Sequence, residues 1–238
     1  MKTIVIGDIH GCCRELELLV SGLIKEGKYV PDEDRLIFLG DYIDRGDQPR
    51  LAVKYIRDLQ KMYGEKVIAL MGNHEAMLLE YVNNENQGWL YNGYRSTVLS
   101  YEGYEEAFYD DIMWMTSLPL YYEDDDYIYV HAGIDKGRPM DRQKADTLLW
   151  AREEFYLDSR TYEKKVIFGH TPTMFLGNEC APVWLNHGCD IAIDTGCVYD
   201  GKLTAIVIEN GQIMEYCQRN RERRRERRRE RRREERVG

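Results

Sequence analysis

With 238 residues and 43% hydrophobic content, the chain is long enough for one domain with a substantial core, and its periodic segments exclude disorder for most of it. The net charge of −9 hides a division, because residues 219–236 hold twelve arginines and five glutamates, a net +7 against −16 for everything else. That acidic body argues against a nucleic-acid-binding catalytic surface, and no apolar stretch approaches a membrane span. The chain opens on strand residues, so no signal peptide is expected. Six cysteines, at 12, 13, 180, 189, 197 and 217, show neither zinc-finger spacing nor a disulfide framework, which makes a reducing cytoplasm the expected compartment. Cys12 and Cys13 read as small buried packing residues.

The predicted elements alternate between short apolar runs and amphipathic helices. Thr3 to Ile6 reads as a strand and leads into Gly7-Asp8-Ile9-His10-Gly11. Leu16, Leu19, Val20, Leu23 and Ile24 recur three and four apart before Gly27 and predict a helix. A second strand, Leu36 to Leu39, leads into Gly40-Asp41-Tyr42-Ile43-Asp44-Arg45-Gly46, and a second helix carries Leu51, Tyr55, Ile56 and Leu59 up to Gly64. Val67 to Leu70 precedes Met71 and Gly72-Asn73-His74-Glu75. From Glu75 to Leu120 the chain is rich in Tyr and Trp and reads as a helical cap that helps choose the substrate. Strands at Tyr127 to Val130 and Val166 to Phe168 lead into His131-Ala132-Gly133 and Gly169-His170-Thr171-Pro172. Ile191 to Ile193 ends in Asp194-Thr195-Gly196, and Leu203 to Ile208 meets Asn210-Gly211, a hairpin signal before Ile213 to Tyr216.

Each candidate ligand falls just past a strand's C-terminal end, the edge where layered α/β folds collect their ligands. Carboxylate, imidazole and amide oxygen without a thiolate suit manganese, iron or zinc, and there are enough of them for two ions. A lone His or Asp after a strand is more often a turn residue than a ligand. Five such pieces, each flanked by glycines that let the backbone turn under an ion, make coincidence the poorer reading.

In their order and spacing, Gly-Asp-x-His-Gly, Gly-Asp-x-x-Asp-Arg-Gly and Gly-Asn-His-Glu resemble the motifs of phosphoprotein phosphatases in the calcineurin-like metallophosphoesterase superfamily. Within that group the chain is similar to the compact bacterial and phage serine/threonine phosphatases of the lambda phosphatase kind, over residues 1–217. The resemblance implies an α/β fold, two mixed β-sheets packed as a sandwich flanked by helices in four layers. The catalytic domain would span 1–218, with 219–238 a charged tail. It also implies one ion on Asp8, His10 and Asp41 and a second on Asn73, His131 and His170, with Asp41 bridging. Manganese is the expected metal, with iron and zinc as alternatives. A carboxylate carries lone pairs on two oxygens and can bridge two cations, whereas a neutral imidazole serves one.

By the same resemblance His74 protonates the departing oxygen and Asp44 orients it, fixing the tautomer and favouring the imidazolium. A supporting structural pair is the other reading of these two residues. Arg45, and Arg152 in Trp150-Ala151-Arg152-Glu153, would clamp phosphoryl oxygens, with Asn73 also touching substrate; a surface ion pair is the alternative for Arg152. His187 lies in a segment that varies in the family and reads as a loop residue. Asp194 would hold the turn beside the metals, and Met71 stands where the family often has Arg.

These assignments imply a metal-dependent serine/threonine protein phosphatase that hydrolyses phosphomonoesters by direct attack of a metal-bridging hydroxide. The alternative is a dinucleoside tetraphosphatase or related nucleotide or polynucleotide phosphohydrolase. Asp44 and Glu75 weigh against it, since the matching motifs there typically read Ala-Arg-Gly-Pro and Asn-His-Asp. The intact ligand set and His74 argue against a third reading, a noncatalytic docking protein. Phosphoprotein or phosphopeptide substrates, a monomeric state and no membrane are expected. Glutamates at 222, 226, 230 and 234 allow Glu and Arg pairs along a helix with no apolar face. A solvated helix or disordered tail is favoured over an arm for nucleic acid or an acidic partner.

Overall fold

The computed structural model describes residues 1–222, so all but the first four residues of the charged tail expected over 219–238 lie outside the described residues. In the first sheet, β1 (Lys2–Ile6), β2 (Arg35–Phe38) and β3 (Val67–Ala69) run parallel. An antiparallel pair, β9 (Lys202–Glu209) and β10 (Gln212–Asn220), completes it in the order β10-β9-β1-β2-β3. In the second sheet, β5 (Tyr127–Val130), β6 (Lys165–Phe168) and β8 (Asp190–Ala192) are parallel. Short antiparallel strands, β4 (Tyr121–Glu123) and β7 (Val183–Leu185), edge it in the order β4-β5-β6-β8-β7.

Strand alternation sets the layers, since successive side chains point to opposite faces. Val5 of β1 faces the other sheet among Ile37, Tyr129, Ile167, Ile191 and Ile206. Its neighbours Ile4 and Ile6 face outward onto α1 (Cys13–Lys25) and α2 (Pro49–Tyr63), meeting Leu16, Leu19, Val53 and Ile56. The cap consists of α3 (Asn73–Val82), α4 (Arg95–Ser100) and α5 (Glu105–Met115). On the far side, Ile128, Val130, Val166 and Phe168 pack against Leu148 of α6 (Ala145–Trp150) and Phe155 of α7 (Glu153–Tyr156). Burial on both faces makes the central strands continuous apolar runs rather than alternating ones. The result is the expected pair of mixed sheets between helical layers.

Several details depart from the sequence reading. β4 and β7 are three residues each and only partly buried, and were not anticipated, although β7 is the apolar Val183-Trp184-Leu185. The helix faces are rotated slightly: Ile24 is 44% and Leu51 38% exposed, while Glu15 of α1 is buried. Glu15 accepts a hydrogen bond from Arg221 Nη1 at 2.8 Å, a partner no local pattern could supply. β10 also runs two residues into the stretch expected to be tail, with Arg219 opposite Leu203 and Asn220 opposite Lys202. All six cysteines are free thiols; burial pushes Cys13 up to about 12, which suits a packing residue rather than a reactive one. No described helix is long and apolar enough to cross a membrane.

The interior between the sheets makes the first prediction. Ile167 is fully buried there, so Ile167→Ala should cost about 2–5 kcal/mol in urea denaturation. A loss below about 1 kcal/mol would mean that the sheets are not tightly packed at this point.

Candidate active site

The parallel strands of both sheets deliver their C-terminal ends to one edge, and the loops that follow are stitched together there. Ile9 and His10 N–H donate to the Asp41 carbonyl at 3.1 and 2.7 Å, Gly11 N–H to Tyr42 at 2.8 Å, and Gly169 N–H to His131 at 2.8 Å. Turning the chain this sharply puts His10, Asp41, Asp44, Arg45 and His170 in the left-handed region, with φ of 43°, 54°, 68°, 65° and 60°. Non-glycine residues cost on the order of 1 kcal/mol or more each in that conformation. Gly72 is needed because a Cβ there would stand 2.2 Å from Asp41 N and 2.3 Å from its Oδ1.

Two compact groups of side chains of metal-ligating type share Asp41: His10 with Asp41 and His74, where the sequence reading had Asp8 and kept His74 for the leaving group, and Asp41 with His131 and His170. All of these are buried. His131 Nδ1 donates to the Leu39 carbonyl at 2.9 Å, which leaves Nε2 with a lone pair facing Asn73 Oδ1 at 2.8 Å. His170 Nδ1 meets the same amide oxygen at 2.9 Å, while its Nε2 is buried with no hydrogen-bond partner. Burial keeps both rings neutral, lowering the His131 pKa and taking that of His170 down to about 2. Two acceptors aimed at each other without a proton between them are reconciled by a cation, so this donor set fits a metal ion.

The other cluster has the same logic. His10 Nδ1 donates to the Ile43 carbonyl at 2.9 Å. Its Nε2 faces Asp41 Oδ2 at 3.3 Å and accepts from Arg45 Nη1 at 2.5 Å. Asp8 is buried beside them but outside the compact cluster, its two oxygens each taking the His170 N–H at 3.1 Å. Burial, then the charges of Asp194 and Asp41, raise the Asp8 pKa well above the usual carboxylate range. Three acidic groups crowded into one buried space are a further mark of a cation site.

His74 and Asp44 form a closed pair. His74 Nδ1 lies 2.6 Å from Asp44 Oδ2, so the carboxylate fixes the tautomer and leaves Nε2 toward the shared space, 3.9 Å from Asp41 Oδ2. Burial lowers the His74 pKa, opposed by the Asp41 charge and the Asp44 hydrogen bond. Asp44 is held in turn by Trp89 Nε1 at 2.9 Å and Thr97 Oγ1 at 2.6 Å. At the rim, Arg45 lies 5.7 Å from the Tyr199 ring. Arg152 donates to Thr171 Oγ1 at 3.1 Å, next to His170, and has no carboxylate partner among the described residues. His187 lies apart, in a turn at Asn186–Gly188. Asp194 accepts the Gly196 N–H at 2.9 Å and so holds its own turn.

Residues missed by the sequence reading hold the site in shape. Glu75, noticed there only as a motif letter, accepts N–H bonds from Tyr42 and Ile43 on Oε1 at 2.8 and 3.2 Å. Its Oε2 takes those of Asp41 and Gly72 at 2.9 and 3.0 Å. Burial and then the Asp41 charge push Glu75 up to about 8, with the N–H donors pulling the other way. Trp89 and Thr97 come from the cap, 45 and 53 residues beyond Asp44.

Two buried ligand clusters joined by one aspartate, at the strand ends of a helix-flanked double sheet, define a metal-dependent phosphoesterase. The chain belongs to the calcineurin-like phosphoesterases, whose family model matches residues 1–197. It is 30% identical over 237 residues to the bis(5'-nucleosyl)-tetraphosphatase PrpE (asymmetrical) of Oceanobacillus iheyensis, with 86% of this chain and 88% of that protein covered. A solved structure described provisionally as a diadenosine tetraphosphatase matches with a TM-score of 0.64 at 22% identity, covering 92% of this chain and 93% of that one. A serine/threonine phosphatase from Saccharomyces cerevisiae matches with a TM-score of 0.66 at 18% identity, covering 94% and 80%. Likeness at such identities speaks for the fold alone. The relative's name corresponds to the alternative reading of the sequence rather than to the protein phosphatase expected first.

Glu75→Gln should show how much the loops depend on one carboxylate. An amide NH₂ would replace an oxygen that accepts two N–H bonds, at a cost of about 1–3 kcal/mol for each group left unsatisfied. Denaturation midpoint and bound metal should both fall. Unchanged metal content in a folded variant would show that Glu75 does not position Asp41.

Proposed function

We propose that this protein is a two-metal phosphohydrolase that cleaves dinucleoside polyphosphates. The observation that carries the reading is the likeness to a bis(5'-nucleosyl)-tetraphosphatase along nearly the whole chain. The rim supports it. Trp150, 40% exposed, stands edge-on to the His170 ring at 5.9 Å, and Tyr199, 48% exposed, lies against Arg45. These aromatic faces flank the ligand clusters and offer stacking platforms for bases.

In this reading Asp8, His10 and Asp41 hold one divalent ion and Asn73, His131 and His170 the other, with Asp41 shared and manganese favoured over iron or zinc. Two such ions, when bound, lower the pKa of an attacking water toward neutrality and offset the charge on the phosphoryl oxygens. Arg45 and Arg152 clamp those oxygens from the rim, where their planar forks match two acceptors at once. Asn73 bounds the same space. His74 delivers a proton from Nε2 to the leaving oxygen in its imidazolium form, which Asp41 and Asp44 favour against burial, and Asp44 keeps the ring oriented for it.

The His74 and Asp44 pair favours a second reading, phosphoserine and phosphothreonine hydrolysis in proteins. An alkoxide leaving group needs a proton, whereas the phosphate chain released from an anhydride departs with little help. The wild-type protein with manganese should convert diadenosine tetraphosphate and water to AMP and ATP, seen by ion-exchange chromatography. Phosphopeptide turnover with the dinucleotide left intact would give the protein phosphatase reading the site.

Chelation should abolish hydrolysis and manganese restore it; full activity in verified metal-free protein would remove the ions from the chemistry. Asp41→Asn should lose at least about tenfold in activity, as even altered support of a metal ligand does, while His187→Asn stays close to wild type. Equal losses in folded variants would mean that the ligands are misassigned.

His74→Asn should keep its metal. Its rate on a phosphoserine peptide should drop by about 10²- to 10⁴-fold, and the loss on p-nitrophenyl phosphate should be much smaller. A uniform loss on both substrates would take His74 out of the acid role.

A further inference from the structure

Beside the ligand clusters a cleft of about 410 Å³ runs between the 45–47 loop and the cap, lined by Arg45, Gly93, Arg95, Ser96 and Leu99. Arg45 belongs to both places. Its Nη1 reaches His10 Nε2 at 2.5 Å, while its backbone N–H donates to the Gly93 carbonyl at 3.2 Å on the cleft side. The cleft therefore begins one arginine side chain away from the scissile phosphoryl group. It is fixed to the catalytic pair as well. The six-residue helix α4 turns Thr97 inward to hold Asp44 and presents Arg95, Ser96 and Leu99 to the cleft.

The charge of the cleft selects its occupant. Arg95 is exposed and, among the described residues, has no carboxylate partner, although the body of the chain is strongly acidic. The carboxylate in the lining, Asp47, lies 3.6 Å from Arg221 Nη2, a guanidinium that also pairs with Glu15. The Arg45 guanidinium thus stands at the metal end, and Arg95 is the cationic side chain that the cap adds to the cleft, beside Ser96 and the apolar Leu99. A chain of phosphates extending from the metal edge into the cleft offers Arg95 an anionic partner that a single phosphoryl group held at the metals does not.

We infer that this cleft is the subsite for the non-scissile phosphates of a polyphosphate substrate, with Arg95 as the residue that sets the preference for a long phosphate chain over a simple monoester. The inference rests on the dinucleoside polyphosphate reading and narrows it, giving the Arg45-to-Arg95 direction to the part of the substrate beyond the cleaved bond. Arg95 binds without touching the reacting atoms, so its signature is in KM rather than kcat.

The test compares Arg95→Ala and Arg95→Lys with wild type on diadenosine tetraphosphate and on p-nitrophenyl phosphate at fixed free manganese. A third arm measures inhibition of p-nitrophenyl phosphate hydrolysis by inorganic tripolyphosphate, which does not depend on dinucleotide cleavage. Loss of a charge-assisted contact should raise KM for the tetraphosphate about tenfold or more relative to KM for the monoester. The tripolyphosphate inhibition constant should rise similarly, and Arg95→Lys should recover part of both. Unchanged KM ratio and inhibition constant in folded, metal-loaded Arg95→Ala, with wild type cleaving the tetraphosphate, would overturn the subsite and leave the function standing. Weakened tripolyphosphate inhibition in a protein that never cleaves the dinucleotide would do the reverse.

Discussion

Four main-chain N–H groups end on the Glu75 carboxylate, two on each oxygen, and the catalytic edge is built around that convergence. Three of the donors are consecutive residues of the loop after β2, and the fourth is Gly72 at the start of α3. Glu75 is the third residue of α3 and reaches back over the helix start, as the acidic partner of a capping box does. A buried carboxyl group that takes four N–H bonds on its two oxygens can hold a loop in conformations that the loop would not choose alone. That is why Asp41, Asp44 and Arg45 can sit in the left-handed region together, with Asp41 facing both ligand clusters.

Much of this was legible in the sequence because the relevant signals are local. Strands buried on both faces announce themselves as apolar runs, and a ligand just after such a run has a defined place on the sheet edge. Where the determinant is distant, the sequence is mute. Nothing near Glu15 says that it is buried, since its partner Arg221 arrives 206 residues later. Trp89 and Thr97 sit in a segment without a motif, and their role appears only when the cap folds over Asp44. β4 and β7 are too short and too exposed to show a period.

The relative's name matches the alternative substrate reading rather than the one expected first, for a related reason. Asp44 and Glu75 are fully buried and spend their oxygens on His74, Trp89, Thr97 and backbone N–H groups. Residues that touch only protein preserve the geometry common to phosphoester hydrolysis and carry no information about what departs. The proposed function leaves discrimination between leaving groups to the rim, where Trp150, Tyr199 and Arg95 meet solvent as single side chains without a recurring pattern. Motif reading therefore reaches the reaction type and stops short of the molecule.

The ligand-type residues come from both layers of the sandwich: Asp41 and Asn73 follow strands of the first sheet, His131 and His170 strands of the second. The His131 ring already bridges the layers through the Leu39 carbonyl. An ion held by both sets would be a rivet between two sheets as well as a reagent, and its binding energy would add to the resistance of the folded state. An ion at a hundred times its dissociation constant contributes about 2.7 kcal/mol in this way. Against the marginal stability of ordinary domains, that is enough to change how much protein survives cellular proteolysis. Metal supply would thus govern the abundance of this protein along with its turnover.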